Sequence, residues 1–270
     1  MIVNKFIVDK KLIDQLPRLK YVCVSATGYN NVDVDYCREK NIAVSNVTGY
    51  STTAVAQHVF ALLLGLMNQT ETYSKEVNEG KWSSQSEFSY WNKPILELAG
   101  LTMGIYGFGK IGQQVGKLAL AFGMQVIAHH KHPERDKMEG VKMVSLDELF
   151  RQSDVISLHA PLSAVNKGII SQQNISKMKK SALLINTGRG GLVNEEDLKI
   201  ALENERIAGA GLDVLSQEPP PSNHILLNTK NCIITPHQAW GSLPARRRLL
   251  NEVAENIKAY MEGKKRNRIF

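Results

Sequence analysis

The stretch Leu101-Thr-Met-Gly-Ile-Tyr-Gly-Phe-Gly-Lys-Ile-Gly112 decides the fold of this chain. Its first six residues form a short apolar run of the kind found in buried strands, and the next six have the pattern G-x-G-x-x-G. A helical pattern from Lys110 to Phe122 follows directly. The glycine pattern alone is weak evidence, but between a strand and a helix it indicates a dinucleotide-binding unit.

Each glycine of this turn has a physical role in such a unit. Gly107 would allow the tight turn, Gly109 would let the backbone approach a pyrophosphate, and Gly112 would let the helix pack against the strand. The start of the helix would supply amide donors and a partial positive charge to the phosphates. The alternative, a plain glycine-rich turn, is disfavoured by the strand–helix–strand pattern around it.

The second strand of the unit lacks the expected acidic residue. NAD-binding units usually place Asp or Glu there to accept a hydrogen bond from the ribose 2′-hydroxyl. Here His130 occupies that place, Lys131 follows it, and the first carboxylate is Glu134. This chemistry suits a 2′-phosphate better, so the sequence slightly favours NADP and leaves NAD open. Alternatively, both residues are exposed and do not contact the ribose.

Outward from this turn, short apolar runs alternate with helical patterns along the whole chain, which predicts an α/β fold with a parallel sheet. The strands expected after the glycine turn lie near residues 125–128, 155–158, 182–185, 209–214 and 232–235. Before the turn, only two or three strands are expected (near residues 2–8, 21–25 and 42–47), followed by one long helix over 52–78. We therefore predict two domains: residues 1–68 with the last helix, 241–270, packed back on them, and residues 69–240.

Three apolar runs in the second half each lead to one ionisable residue. Arg189 follows Ala182-Leu-Leu-Ile-Asn-Thr-Gly, Glu218 follows Gly211-Leu-Asp-Val-Leu-Ser-Gln, and His237 follows Cys232-Ile-Ile-Thr-Pro. If these runs are neighbouring parallel strands, a guanidinium, a carboxylate and an imidazole meet at one edge of a sheet. Together they could bind a carboxylate and move a proton.

Composition excludes several other classes of protein. The 270 residues are 43% hydrophobic and 22% charged, as in ordinary globular proteins. The net charge of +7 includes clusters at 246–248 and 263–268, which are interpreted as solvated surface rather than as a nucleic-acid site because no aromatic residues interleave them. The three cysteines suggest neither a zinc site nor a disulfide framework. No apolar stretch is long enough to cross a membrane and no leader pattern opens the chain, so a cytoplasmic protein is expected.

Taken together, the ordered motifs resemble those of the D-isomer-specific 2-hydroxyacid dehydrogenases over essentially the whole chain. The motifs are Gly107-Phe-Gly-Lys-Ile-Gly, His159-Ala-Pro-Leu, Asn186-Thr-Gly-Arg-Gly-Gly-Leu-Val, Leu212-Asp-Val-Leu-Ser-Gln-Glu-Pro and Thr235-Pro-His. Within the family, Ala26-Thr-Gly-Tyr-Asn-Asn-Val-Asp, Gly49-Tyr-Ser-Thr-Thr-Ala-Val-Ala-Gln-His and His237-Gln-Ala-Trp look most like glycerate dehydrogenases, which reduce hydroxypyruvate and often glyoxylate.

The resemblance implies a Rossmann-type doubly wound sheet, a smaller flavodoxin-like substrate domain and a role for each matching residue. His237 would be the general acid, Glu218 would pair with it and orient it, and Arg189 would bind the substrate carboxylate. Backbone amides around Thr27 and Gly28 would hold the other side of that carboxylate. The residues expected along the cofactor are Lys110 and Ile111 at the pyrophosphate, Pro161, Thr187, and Asp213 near the nicotinamide.

The resemblance also implies a homodimer formed through the long helix and the aromatic segment after it. Relatives carry a further strand and helix before the position of Met1, so the substrate domain is expected to be truncated at its N-terminus, or the true start lies upstream. Two other functions stay open on the sequence: a non-catalytic NAD(H)-sensing protein and an inactive truncated fragment. The residues do not identify which 2-hydroxy acid is used.

Overall fold

The computed structural model describes residues 1–270, which form two compact units. The first unit contains residues 1–54 and 240–270, and the second contains residues 55–239. The sequence placed the domain boundaries at 68/69 and 240/241. The assignment of separate functions to the two parts stays a prediction.

The chain contains ten strands and nine α-helices. In order they are β1 (Ile2–Val3), α1 (Lys10–Asp14), β2 (Tyr21–Val24), α2 (Val34–Glu39), β3 (Ala43–Ser45), α3 (Thr52–Asn68), α4 (Thr70–Asn78), β4 (Thr102–Tyr106), α5 (Lys110–Ala121), β5 (Gln125–His129), β6 (Val141–Met143), α6 (Leu146–Gln152), β7 (Val155–Leu158), α7 (Gln172–Ile175), β8 (Leu183–Asn186), α8 (Glu195–Glu203), β9 (Gly209–Leu212), β10 (Cys232–Ile234) and α9 (Leu243–Met261).

The first unit is a three-stranded parallel sheet in the order β1-β2-β3, supported by helix α9. Ser242 caps the start of helix α9: its side chain accepts a hydrogen bond from Ala245 N and so satisfies an amide of the first turn. Its apolar residues at helical spacing, Ala245, Leu249 and Val253, are buried in one cluster with Tyr21 and other residues of the sheet. The helix thereby covers apolar surface that so small a sheet would otherwise expose.

The second unit contains a seven-stranded, entirely parallel sheet in the order β10-β9-β8-β7-β4-β5-β6. Strands β7, β8 and β9 are buried at every position, as expected for a parallel sheet with both faces covered. The chain runs from β4 outward through β5 and β6, then returns to β7 on the other side of β4. This reversal makes the doubly wound topology, and it leaves a crevice at the carboxyl ends of β4 and β7 where ligands bind in such folds.

Three expectations about elements need correction. The single helix predicted over 52–78 is two helices, α3 and α4, because Gln69 has a left-handed φ of +48° and interrupts the helical course. Residues 6–8 form no strand, and only Val8 makes an isolated bridge, to Val32. Strand β6 was not expected, because a run of three residues gives too little alternation to be recognised.

The three cysteines are free thiols, two of them buried and the third, Cys232, partly exposed. Cys23 in β2 and Cys37 in α2 are fully buried. Burial raises the pKa of Cys232 in β10 to about 12.

No helix of the structure is both long enough and apolar enough to span a bilayer.

Candidate active site

The glycine turn after β4 lies in backbone contact with the segment after β7. Gly107 has a φ of +93°, and a Cβ placed there would clash with the backbone of Ala160. A Cβ at Gly109 would meet nothing within 4 Å, so this side of the turn is open. Helix α5 begins at Lys110 with no side chain capping its first amides. The turn therefore offers free amide donors and close backbone approach, which a pyrophosphate requires.

A buried hydroxyl without a partner directly follows β8, at the carboxyl edge of the same sheet. Thr187 is only 8% exposed, and its Oγ1 makes no hydrogen bond. Buried polar atoms are almost always paired in proteins, so this oxygen is available to a bound ligand or an ordered water. Together with the open turn at Gly109, it shows that the residues present fit a dinucleotide. The other residues expected along the cofactor line the same strand ends: Lys110 and Pro161 are exposed and Ile111 is partly buried.

The expected ribose residue, His130, directly follows β5 and is tied to the glycine turn. Its Nδ1 accepts a hydrogen bond from Phe108 N at 3.0 Å. Its Nε2 lies 2.7 Å from Asp136 Oδ2. Lys131 is exposed. The Asp136 carboxylate therefore lies beside His130, the position where an acidic residue was expected, although Asp136 is six positions further along the chain.

The three ionisable residues predicted to share one sheet edge do follow three neighbouring parallel strands. Strand β9 pairs with β8 on one side and with β10 on the other, both in parallel. Arg189 comes three residues after β8, Glu218 six residues after β9 and His237 three residues after β10. The hypothesis about these strands is confirmed. The catalytic roles stay a prediction.

His237 and Glu218 form a hydrogen-bonded pair at this edge. His237 Nδ1 lies 2.6 Å from Glu218 Oε2, and Glu218 Oε1 accepts from Leu215 N at 3.1 Å. Both carboxylate oxygens are therefore engaged, and the imidazole is held in one orientation. Nε2 of His237 has no partner in the protein. A ring fixed through one nitrogen with the other nitrogen free is suited to general acid–base chemistry.

Arg189 is positioned by a buried amide at the end of β8. Asn186 Oδ1 accepts from Gly188 N at 3.0 Å, and Asn186 Nδ2 donates to Arg189 O at 2.9 Å. Nη1 of Arg189 donates to Gly188 O at 2.7 Å, which anchors the guanidinium on its own loop. Nε and Nη2 remain without partners in the protein and can donate to a carboxylate as a fork.

Asp213 anchors the turn that carries His237, a role that the sequence did not suggest. Its Oδ1 accepts from Thr235 Oγ1 at 2.6 Å and from Gln238 N at 2.9 Å, while Oδ2 accepts from Ala239 N at 2.8 Å. Burial raises the pKa of this carboxyl, but these hydrogen bonds and the nearby His58 outweigh burial and leave the pKa below its usual value. The carboxylate therefore stays charged and holds residues 235–239 in place.

His58 completes this cluster from helix α3. Its Nε2 lies 2.9 Å from Thr235 Oγ1. Since the Thr235 hydroxyl donates to Asp213, His58 must be the donor in this contact. It lies 177 positions from Thr235 in sequence, and no local pattern indicates such a contact.

Glu195 is a second residue that the sequence analysis missed. It begins helix α8, and its carboxylate accepts from Ser216 N at 2.7 Å and from Ser216 Oγ at 2.5 Å. It thereby ties the loop that carries Glu218 to the helix that follows Arg189. The sequence does indicate where Glu195 lies, because Asn194 caps helix α8 and so places Glu195 in its first turn.

The other predicted substrate residues, Thr27 and Gly28, lie in the first unit after β2. Thr27 Oγ1 donates to Val47 O at 3.0 Å, and Thr27 O accepts from Asn46 Nδ2 at 2.7 Å. These bonds fix the loop between β2 and α2. Their contact with a substrate stays a prediction.

Comparison with known proteins gives a consistent result. Residues 60–239 match the family described as D-isomer specific 2-hydroxyacid dehydrogenase, NAD binding domain. The chain is 42% identical to a hydroxypyruvate reductase of Blautia hydrogenotrophica, over 96% of this chain and 81% of that protein. It is 39% identical to a glycerate dehydrogenase of Methylorubrum extorquens, over 98% and 83%. A solved acyclic imino acid reductase in complex with NADPH and D-arginine superposes with a TM-score of 0.89 at 36% identity, over 100% of this chain and 84% of that one.

Proposed function

The chain belongs to the D-isomer-specific 2-hydroxyacid dehydrogenases, NAD(P)-dependent enzymes acting on small 2-oxo and 2-hydroxy acids, and from this premise we propose that it is a hydroxypyruvate and glyoxylate reductase. The observation that carries the proposal is the His237–Glu218 pair, with its free Nε2, on the same sheet edge as Arg189. The hydroxypyruvate reductase and glycerate dehydrogenase among its relatives support the choice of substrate.

The residues of this chain divide the work of the reaction. Hydride for the carbonyl carbon of the 2-oxo acid would come from the nicotinamide cofactor when it is bound. His237 Nε2 donates a proton to the carbonyl oxygen, and Glu218, which accepts from Nδ1, holds the imidazole in the orientation that this donation requires. Arg189 binds the carboxylate through Nε and Nη2 and polarises the carbonyl.

We further propose that the first unit binds the substrate and the second the dinucleotide, and that the protein is a cytoplasmic homodimer.

The subunit contact of this dimer would use α3, α4 and the segment after them, where Trp82, Phe88 and Trp91 expose 49%, 88% and 67% of their surfaces. Aromatic side chains exposed together favour a protein contact. Size-exclusion chromatography with light scattering tests this, and a monomer at micromolar concentration contradicts it.

The first test is a set of initial rates with hydroxypyruvate, glyoxylate and pyruvate, each with NADH and NADPH, followed at 340 nm. Hydroxypyruvate or glyoxylate should give the highest kcat/KM, and pyruvate a lower one. His237→Asn should lower kcat by roughly 100-fold or more, because general acid catalysis contributes about 10²–10⁴. It should leave the Kd for the reduced cofactor nearly unchanged, because His237 is expected to touch the substrate only.

The controls separate this proposal from its alternatives. His224→Asn alters an imidazole of the same unit that is bonded to Glu195 rather than to Glu218, and it should keep turnover. Turnover in His237→Asn equal to that of the unaltered protein would remove His237 from the mechanism. NADH binding without turnover on any 2-oxo acid would instead favour the sensing protein.

A further inference from the structure

A carboxylate lies beside His130, the residue that directly follows β5 and contacts the glycine turn. It belongs to Asp136, whose Oδ2 is 2.7 Å from His130 Nε2. His130 in turn contacts Phe108, the residue between the first two glycines of the turn. In dinucleotide-binding units this is the place where an acidic side chain accepts from the ribose 2′-hydroxyl.

The hydrogen bonds fix which ring nitrogen of His130 carries the proton. Phe108 N can only donate, so Nδ1 must be the acceptor and is unprotonated. The proton therefore lies on Nε2, which donates to Asp136. Both ring nitrogens are used within the protein, and His130 itself has none left for a ribose or a phosphate.

The two oxygens of Asp136 are used unequally. Oδ2 accepts from His130 and also from Arg135 Nε at 3.0 Å and Arg135 Nη2 at 2.5 Å. Oδ1 makes no hydrogen bond, and the side chain is 16% exposed. The Arg135 guanidinium, with His130, holds the pKa of this carboxyl below its usual value. Asp136 is therefore a fixed anion that presents one free acceptor oxygen.

We propose that Asp136 is the residue that selects the cofactor, with Oδ1 accepting from the ribose 2′-hydroxyl, so that the enzyme prefers NAD(H) to NADP(H). This inference rests on the proposed use of a nicotinamide cofactor and reverses the slight preference for NADP that the sequence alone suggests. His130 acts as a positioning residue, since it contacts the glycine turn through Nδ1 and Asp136 through Nε2.

The charges around this oxygen disfavour a 2′-phosphate. Such a group carries a charge of about −1.5 to −2 at pH 7 and would face the Asp136 carboxylate. Arg135 is already paired with that carboxylate, so its charge is largely compensated. Lys131 remains exposed, but one solvated lysine offsets a close like-charge contact poorly.

Titration of NADH and NADPH, followed by nicotinamide fluorescence in the absence of substrate, tests this. The unaltered protein should bind NADH at least roughly ten-fold more tightly than NADPH, the size expected from one hydrogen bond to a charged acceptor. Asp136→Asn should weaken NADH binding and tighten NADPH binding, bringing the ratio of the two Kd values close to one. Glu134→Gln is the matched control, since it removes one charge from the same loop where the side chain is paired only with Lys137.

Each outcome of the titration decides. A ratio that favours NADPH in the unaltered protein overturns the inference while leaving the proposed reductase intact. An equal change of the ratio in Glu134→Gln and Asp136→Asn also overturns it, because the change would then reflect the net charge of the loop rather than a contact of Asp136 with the ribose. Binding of neither cofactor contradicts the proposed function itself. Should Asp136→Asn fail to fold, the ratio in the unaltered protein still decides.

Discussion

His159 sits where β7 meets the glycine turn, and it sets a limit on stability in acid. Its Nε2 lies 2.8 Å from Ser157 Oγ. Burial lowers the pKa of this imidazole to about 3, whereas in the unfolded chain the pKa is about 6.5. The folded protein therefore keeps His159 neutral at pH values where the unfolded chain would protonate it.

We expect the free energy of unfolding to decrease as the pH falls from about 6.5 towards 3, because the unfolded state binds this proton and the folded state does not. Urea denaturation at several pH values between 7 and 4 measures the slope. His159→Asn should flatten this part of the profile. An equally steep decrease in that variant would assign the loss to other groups.

Asp213→Asn should be costly although it is nearly isosteric. Both carboxylate oxygens of Asp213 accept hydrogen bonds, and two of these three bonds come from backbone amides. The side-chain NH₂ of an asparagine at this position must therefore face a donor. A buried donor left without an acceptor costs about 1–3 kcal/mol. We expect that loss in the free energy of unfolding and a lower kcat, since residues 235–239 include His237.

The matched control for Asp213→Asn is Asp35→Asn, whose side chain is 86% exposed. It should change neither the free energy of unfolding nor kcat measurably, because an exposed ion pair contributes little. Unchanged stability in Asp213→Asn would show that the turn is held by other contacts.

At the scale of elements, two loops of the candidate active site depend on one close approach. The backbone of Leu215 and Ser216, before Glu218, lies against Gly190, after Arg189, so closely that any Cβ there would clash with it. Gly190→Ala should therefore lower the free energy of unfolding by more than the roughly 1–3 kcal/mol of ordinary overpacking, because backbone has to move. It should also raise KM by displacing Arg189 or Glu218.

The adjacent residue offers the control. A Cβ at Gly191 would meet only the end of the Leu162 side chain, which can turn away. Gly191→Ala should be milder than Gly190→Ala in both denaturation and KM. Equal effects of the two substitutions would mean that the close approach to Leu215 is not what fixes the loops.

How far the sequence predicts elements depends on whether their determinants are local. Strand β4 and the start of α5 were found because the apolar run and three glycines stand side by side. The break at Gln69 was missed because a left-handed glutamine has no distinctive neighbours. The placement of Arg189, Glu218 and His237 after neighbouring parallel strands was predicted from the apolar runs before them. The contact of Asp136 with His130 was missed because it depends on the conformation of the loop after β5. The contact of His58 with Thr235 was missed because the two residues lie 177 positions apart in sequence.

At the scale of the whole molecule, the net charge of +7 should favour the approach of anionic substrates. We expect kcat/KM for hydroxypyruvate to fall several-fold between 50 and 500 mM sodium chloride, because salt screens the attraction between separated charges. The kcat at saturating substrate should change less, since it does not include the encounter. A kcat/KM that is independent of salt would show that the positive charges lie too far from the active site to attract the substrate.

The native protein should not react with alkylating reagents, since two of its thiols are buried and the third has a raised pKa. Cys23 and Cys37 are inaccessible, and Cys232 has too high a pKa to form a thiolate at neutral pH. Maleimide should therefore label the folded chain at none of its own cysteines and at all three after denaturation. One cysteine introduced at the exposed Phe88 would then carry a fluorophore alone, with no need for a cysteine-free background.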